Sequence, residues 1–247
     1  MEARVVVGVG AQKTGTTSIA NFLRQNNVGV VPQKELHAFR VGQRFVSRRE
    51  YLGLIDFRTD GRIYGEFTPN YIHRPSAIWN LAQIVPEAKI IMSLRNPVDR
   101  AFSAYKHAVG IGAIGQHQTF EDVIEQSKNG VRNNWVTDIL RLSFYARDIE
   151  RLLSFFPRKQ IFFLDFEHLR DETKRNAVSV GLLDFVGAPQ MNLDLPKVNQ
   201  SNKYTSLIQP ASKVVDKSTR TALEGVFYES VRATEKLIGF QLDWWKN

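Results

Sequence analysis

Not one of the 247 residues is cysteine. That excludes disulfides, thiolate metal sites and cysteine nucleophiles together. No apolar run approaches the roughly 20 residues that a membrane-crossing helix needs. The opening residues Met1-Glu2-Ala3-Arg4 lead straight into an apolar run without a cleavable leader pattern. The expectation is a soluble, cytoplasmic protein. No internal repeat, low-complexity tract or linker breaks the chain, so a single domain over 1–247 is expected. The five histidines, His37, His73, His107, His117 and His168, lack metal-ligand spacing, and no metal is expected. Dense Lys/Arg blocks are missing too, although 33 Lys+Arg against 25 Asp+Glu leave a net charge of +8. A scattered basic surplus favours a small, multiply charged anion over nucleic acid.

What is present is an alternation of short apolar runs and longer helical patterns. Val5–Gly10, Ile63–Phe67, Lys89–Leu94 and Ile161–Leu164 read as buried strands. Helices are expected over Thr16–Gln25, Ser76–Val85, Val98–Val109, Trp135–Phe156, Asn176–Val186 and Ser212–Ile238, and a further start at Thr119 with Asp122 three residues on. Pro75 and Pro97 suit first turns, and Gly187 suits a helix end. The glycine-rich 110–115 stretch reads as a flexible segment. Such alternation predicts an α/β fold with a central parallel sheet flanked by helices. Ligands of such sheets bind at the carboxyl ends of the strands.

Two of those ends carry chemistry. After the first strand comes Gly10-Ala11-Gln12-Lys13-Thr14-Gly15-Thr16-Thr17-Ser18. A strand, a glycine turn and a helix N-terminus make an anion site, with main-chain N–H groups converging and hydroxyls adding donors. Thr16 stands where the nucleoside-triphosphate loop G-x-x-x-x-G-K-[ST] has its lysine, and the only lysine, Lys13, precedes Gly15. The loop suits a 5′-phosphate with one cation better than a β,γ-phosphate chain with magnesium. After Lys89–Leu94 come Arg95 and a helix carrying Ser103. A guanidinium grips phosphate bidentately, and a serine hydroxyl adds a bond. Two grips suggest a nucleotide phosphorylated on both its 5′ and 3′ sides.

These two segments together resemble the sulfotransferase family that uses 3′-phosphoadenosine 5′-phosphosulfate (PAPS). Gln12 to Ser18 looks like its 5′-phosphosulfate loop, and Arg95 to Tyr105 like its 3′-phosphate element. Lys34-Glu35-Leu36-His37-Ala38-Phe39 and Gly65-Glu66-Phe67-Thr68-Pro69-Asn70-Tyr71 are similar to segments of the heparan sulfate sulfotransferase branch and its bacterial relatives. Phe67 stands where those relatives commonly carry lysine. Asn199 to Tyr204, with Lys203, sits where the family has a basic loop over the nucleotide.

The resemblance implies a P-loop-containing nucleoside triphosphate hydrolase-like fold of the sulfotransferase kind. It implies PAPS as co-substrate and adenosine 3′,5′-bisphosphate as product. Cofactor binding then falls to Gln12, Lys13, Thr14, Gly15, Thr16, Thr17, Ser18, Arg95, Ser103 and Lys203, and catalysis to Lys13, Glu35 and His37. Glu35 is the first choice of base and His37 the second, on the expectation that an extended segment turns both to one side. The resemblance leaves the acceptor open among a saccharide, a small-molecule alcohol or amine, and a carrier-bound polyketide hydroxyl.

Two other classes compete on the sequence. A P-loop kinase or NTPase would use Asp165, at the end of an apolar run, for magnesium. A non-enzymatic polyanion binder would use the basic surplus. The first lacks the loop lysine, and the second lacks clustered cations interleaved with aromatics.

Overall fold

β-branched and apolar runs too short for helices become strands, and the periodic segments between them become helices. The computed structural model describes residues 4–39, 46–129, 134–194 and 209–245. The order is β1 (Val5–Gly10), α1 (Thr16–Gln25), β2 (Gly29–Val30), α2 (Arg48–Leu54), β3 (Tyr64–Phe67), α3 (Pro75–Ile84), β4 (Lys89–Leu94), α4 (Pro97–Gly110), α5 (Phe120–Lys128), α6 (Asn134–Arg141), α7 (Tyr145–Phe155), β5 (Ile161–Asp165), α8 (Phe166–Arg170), α9 (Glu172–Val186) and α10 (Lys217–Ile238).

The strands form one sheet in the order β2-β3-β1-β4-β5. Every pairing is parallel, with Gly8 opposite Phe67 and Ile90 opposite Ile161. All residues of β1 and β3 are buried, as parallel strands covered on both faces must be. Against the sheet, Ile19, Phe22 and Leu23 of α1 and Leu182, Leu183 and Val186 of α9 share a core with Val6, Phe67, Ile91 and Leu164. The 3- and 4-residue spacing within each helix puts these side chains on one face. Fully burying a side chain of this kind is worth about 1.5–3 kcal/mol, so this core fixes where β1 ends and α1 begins.

The chain gathers into two compact units: Met1–Leu94 with Glu150–Val198, which holds the sheet, and Arg95–Ile149 with Asn199–Asn247. In the second, Phe120 packs against Phe102 and Tyr105 at ring separations of 5.2 and 5.5 Å. Arg220 of α10 pairs with Asp99 of α4 at 2.6 Å.

Three expectations change. The single helix over Trp135–Phe156 is two, α6 and α7. The break falls where Ser143 turns inward, donating to the Pro97 carbonyl at 3.0 Å and accepting from Arg100 Nε at 2.6 Å. The last helix starts at Lys217 rather than Ser212, because Asp216 caps it by accepting from the N–H groups of Ser218 and Thr219. The 110–115 stretch is pinned. Ala113 N–H donates to the Ala108 carbonyl at 2.8 Å, Gly115 N–H to Gln118 Oε1 at 3.0 Å, and Ile114 is buried.

Candidate functional site

β1 delivers the chain into a loop tied down by its own residues. Ala11 N–H donates to the Ser93 carbonyl at 2.9 Å. Ser93 Oγ donates to the Thr14 carbonyl, and Thr14 Oγ1 to the Ala11 carbonyl, both at 2.6 Å. Thr14 is fully buried. Its hydroxyl proton is spent inside the loop. Gly15 begins α1 at φ 80°, and a Cβ there would lie 2.8 Å from the Phe166 ring. Both facts require glycine.

No side chain caps α1, and its first turn holds no acid. By contrast α2, α4, α5, α8, α9 and α10 are each capped by a side chain. The partial positive charge at the start of α1 therefore meets no carboxylate of its own. Around it, Gln12 and Lys13 are half-buried, Thr17 is exposed, and Thr16 and Ser18 are buried.

The segment carrying Glu35 and His37 is irregular and follows a turn at 32–33, rather than the extended run expected. Lys34 and His37 take positive φ, 64° and 52°, a region costly for non-glycine residues. Lys34 N–H donates to the Val31 carbonyl at 2.9 Å, and the Lys34 carbonyl accepts from Phe67 N–H at 2.8 Å. The two side chains still meet: His37 Nε2 lies 3.3 Å from Glu35 Oε2. Lys34 Nζ lies 2.8 Å from Glu35 Oε1 and donates to Thr16 Oγ1 and Thr17 Oγ1, each at 3.3 Å. The expected base is thereby joined to the first turn of α1 through one lysine. The sequence reading named Lys34 within its segment but gave it no contact, because its threonine partners lie far off in sequence.

Beneath this segment lies a buried carboxylate. Glu66, at 0% exposure, accepts from Thr68 Oγ1 at 2.5 Å, from Leu36 N–H at 3.4 Å and from Tyr51 Oη at 3.4 Å. Thr68 Oγ1 accepts from His37 N–H at 3.2 Å, and Tyr71 Oη from Ala38 N–H at 2.8 Å. Three consecutive amides of the segment are thus held by side chains of one short stretch. Burial raises the Glu66 pKa to about 7, against the opposing pull of hydrogen bonds led by Thr68. Burial and the neighbouring Glu66 likewise raise Tyr51 and Tyr71. Phe67, between these polar residues, points into the core.

In the second unit, Arg95 follows directly on β4, half-buried, with its carbonyl accepting from Tyr145 Oη at 2.9 Å. Ser103 and Lys106 lie one turn apart on α4. The Lys106 ammonium sits 4.7 Å from the Phe102 ring centre, and its pKa is lowered by burial and then by the like charge of Arg95. Two cations held within each other's field suit an anion between them. Lys106 escaped the sequence reading, although its spacing from Ser103 was a usable signal. Arg100 is fully buried and structural. It bonds Ser143 and the Ile139 carbonyl, and burial lowers its pKa to about 10. Lys203 lies outside the described residues. Asp165, the residue a P-loop kinase or NTPase would use for magnesium, accepts from Glu167 N–H and caps α8. Among the described residues no cluster of three or more His, Cys, Asp or Glu side chains is arranged to hold a metal. No helix there is long and apolar enough to cross a membrane.

The family model of the sulfotransferase domain matches residues 4–225. The chain is 32% identical over 177 residues to a bifunctional heparan sulfate N-deacetylase/N-sulfotransferase 3 of Mus musculus, covering 66% of this chain and 20% of the relative. It is 29% identical over 173 residues to the corresponding enzyme 1 of Caenorhabditis elegans, with the same coverage. The chain thus matches only a fifth of the length of these relatives. Among solved structures, a sulfotransferase from Alicyclobacillus acidocaldarius superposes with a TM-score of 0.77 at 25% identity, covering 100% of both chains. A mouse sulfotransferase complexed with PAP shares the fold, with a TM-score of 0.51 at 15% identity over 96% of this chain and 88% of that one. The chain belongs to the sulfotransferase domain family.

Proposed function

We propose that this protein moves a sulfuryl group from PAPS to a hydroxyl or amine of a saccharide or small molecule, releasing adenosine 3′,5′-bisphosphate. The observation that carries the reading is the join between Glu35 and the start of α1 through Lys34. It sets a proton acceptor beside an uncapped helix end that suits a phosphosulfate. One family model running through residues of both units supports a single functional domain over 1–247. The matches to N-sulfotransferases make a glycan amine one acceptor to test. The reading includes a cytoplasmic setting, with which a cysteine-free sequence is compatible.

The roles follow from charge. The acceptor attacks sulfur in line. A new bond to sulfur forms as the bond from sulfur to the 5′-phosphate oxygen breaks, and the electron pair leaves with that oxygen. Lys13 and the N–H groups of the loop, with the Thr16, Thr17 and Ser18 hydroxyls, stabilise the leaving phosphate, as donors do in phosphoryl transfer. Gln12, Thr14 and Gly15 shape the cradle. Glu35 takes the acceptor proton, and His37 orients it or stands in for it. Arg95 and Ser103 are assigned the 3′-phosphate, with Lys203 closing over the nucleotide.

The test is a thermal-shift series. Adenosine 3′,5′-bisphosphate is expected to raise the melting temperature in proportion to its occupancy, and ATP with magnesium to do much less. A labelled-PAPS screen over amino sugars, glycans and small alcohols then identifies the acceptor. A larger shift with ATP and magnesium would refute the reading.

A further inference from the structure

The family resemblance gives Lys34 no role, yet its ammonium sits among three groups that matter to the reaction. Its side chain is only 13% exposed. The distances are 2.8 Å to Glu35 Oε1 and 3.3 Å to each of the Thr16 and Thr17 hydroxyls. An ammonium can only donate. Each threonine oxygen is therefore an acceptor here, and each hydroxyl proton is left to point elsewhere. A ligand anion at the start of α1 can receive both. That anion would lie within reach of Lys34, whose flexible four-carbon stem carries three rotatable donors. The main chain at Lys34 need not move, since it is fastened to Phe67 N–H.

We propose that Lys34 is an exchangeable cation of the donor site. It neutralises Glu35 in the free protein and turns onto the sulfonate and phosphate oxygens of bound PAPS, which frees Glu35 Oε1 to receive the acceptor proton. The inference rests on the PAPS reading above and adds an order of events to it. Donor entry unmasks the base, so Glu35 is not competent until the sulfuryl group is in place. Glu35 Oε2 keeps His37 at 3.3 Å throughout, which holds the carboxylate in orientation while its other oxygen is released. The exchange is favoured because the donor carries several negative charges and meets an uncapped helix end, whereas Glu35 offers one.

The test uses binding rather than turnover. Adenosine 3′,5′-bisphosphate, which carries the same 5′-phosphate, is titrated calorimetrically into the parent protein, Lys34→Met, Glu35→Gln and the double variant. Loss of a charged hydrogen-bond donor to the ligand predicts that Lys34→Met weakens binding at least about tenfold. Glu35→Gln is expected to tighten binding, because Lys34 no longer has a competitor. In the Lys34→Met background the same Glu35 change is expected to give no tightening. Lys34→Arg keeps the charge and is expected to retain most of the affinity, which separates loss of the cation from misfolding. Unchanged affinity in Lys34→Met would overturn the proposal. So would equal tightening by Glu35→Gln in both backgrounds, because Glu35 would then act as a plain negative charge. Absence of binding by the parent protein would instead strike down the PAPS reading, with this inference following it.

Discussion

The starts of α1 and α4 make an instructive pair. Each helix follows a strand of the central sheet, β1 in one case and β4 in the other. α1 opens with Gly15, without a side-chain cap and without an acid in its first turn. α4 opens with Asn96, whose side chain accepts from the N–H groups of Val98 and Asp99, with Pro97 and Asp99 completing the turn. At α1 no side chain takes up the first N–H groups. At α4 they are satisfied internally, and any grip on an anion must come from side chains such as Arg95, Ser103 and Lys106. Under the proposed function the same local plan, strand into helix, serves one phosphate through the main chain and the other through side chains.

Four measurements break or sharpen this contrast. Lys13 is the one cation within the main-chain loop, so Lys13→Ala is expected to lower kcat by about 10²–10³-fold while the melting temperature barely moves. Equal activity in the two proteins would remove Lys13 from the mechanism. In the side-chain site, Arg95→Ala is expected to weaken adenosine 3′,5′-bisphosphate binding by about 10–100-fold, the worth of a charge-assisted bond. Arg95→Lys should recover only part of it, because a point charge replaces a fork; full recovery would argue against bidentate holding.

The helix starts themselves give the smaller effects. Gly15→Ala forces a Cβ toward Phe166 at positive φ and is expected to cost about 1–3 kcal/mol in a denaturant titration, along with nucleotide affinity. Asn96→Ala removes an ordinary cap and is expected to cost about 1 kcal/mol while leaving loop chemistry intact. A larger loss of nucleotide binding from Asn96→Ala than from Gly15→Ala would invert the comparison.

Glu66 supplies a pH test outside the contrast. Its folded pKa, about 7, lies above the ordinary carboxylate value of 4.5. The folded protein holds this proton more tightly than the unfolded chain. The contribution to stability is therefore greatest below about pH 4.5 and falls as pH rises toward 7, by at most about 1.4 kcal/mol per pH unit. Glu66→Gln should flatten that slope, and identical slopes in the two proteins would contradict it.

Much of the frame was legible in the residues. Val5–Gly10 and Lys89–Leu94 are short, apolar and followed by helix signals, and both became strands at the stated positions. The loop and Arg95 were legible because glycine, threonine and arginine occupy strand ends, where ligands bind. The division of Trp135–Phe156 was not legible, because no Gly or Pro marks it. It arises from the need of buried Arg100 for acceptors at Ile139 and Ser143, which only tertiary contact reveals. α2 was missed although Ser47 and Glu50 form a capping box, a signal present in the sequence. β2, two residues long, offers too little pattern to read. The Glu35–His37 pairing was anticipated on the wrong geometry, since positive φ at Lys34 and His37 answers to hydrogen bonds from distant residues.

The ring of Phe67 lies across Gly8 so closely that a Cβ on Gly8 would sit 1.9 Å from it. The two positions therefore form an interlocked pair, and neither is open to substitution by itself. Restoring the relatives' lysine at position 67 would leave a hole above Gly8 and strand an ammonium in apolar surroundings, which is expensive. An engineer who wants a further positive charge near this segment has no route through position 67. That charge has to come from a neighbouring turn, the place the proposal above gives to Lys34.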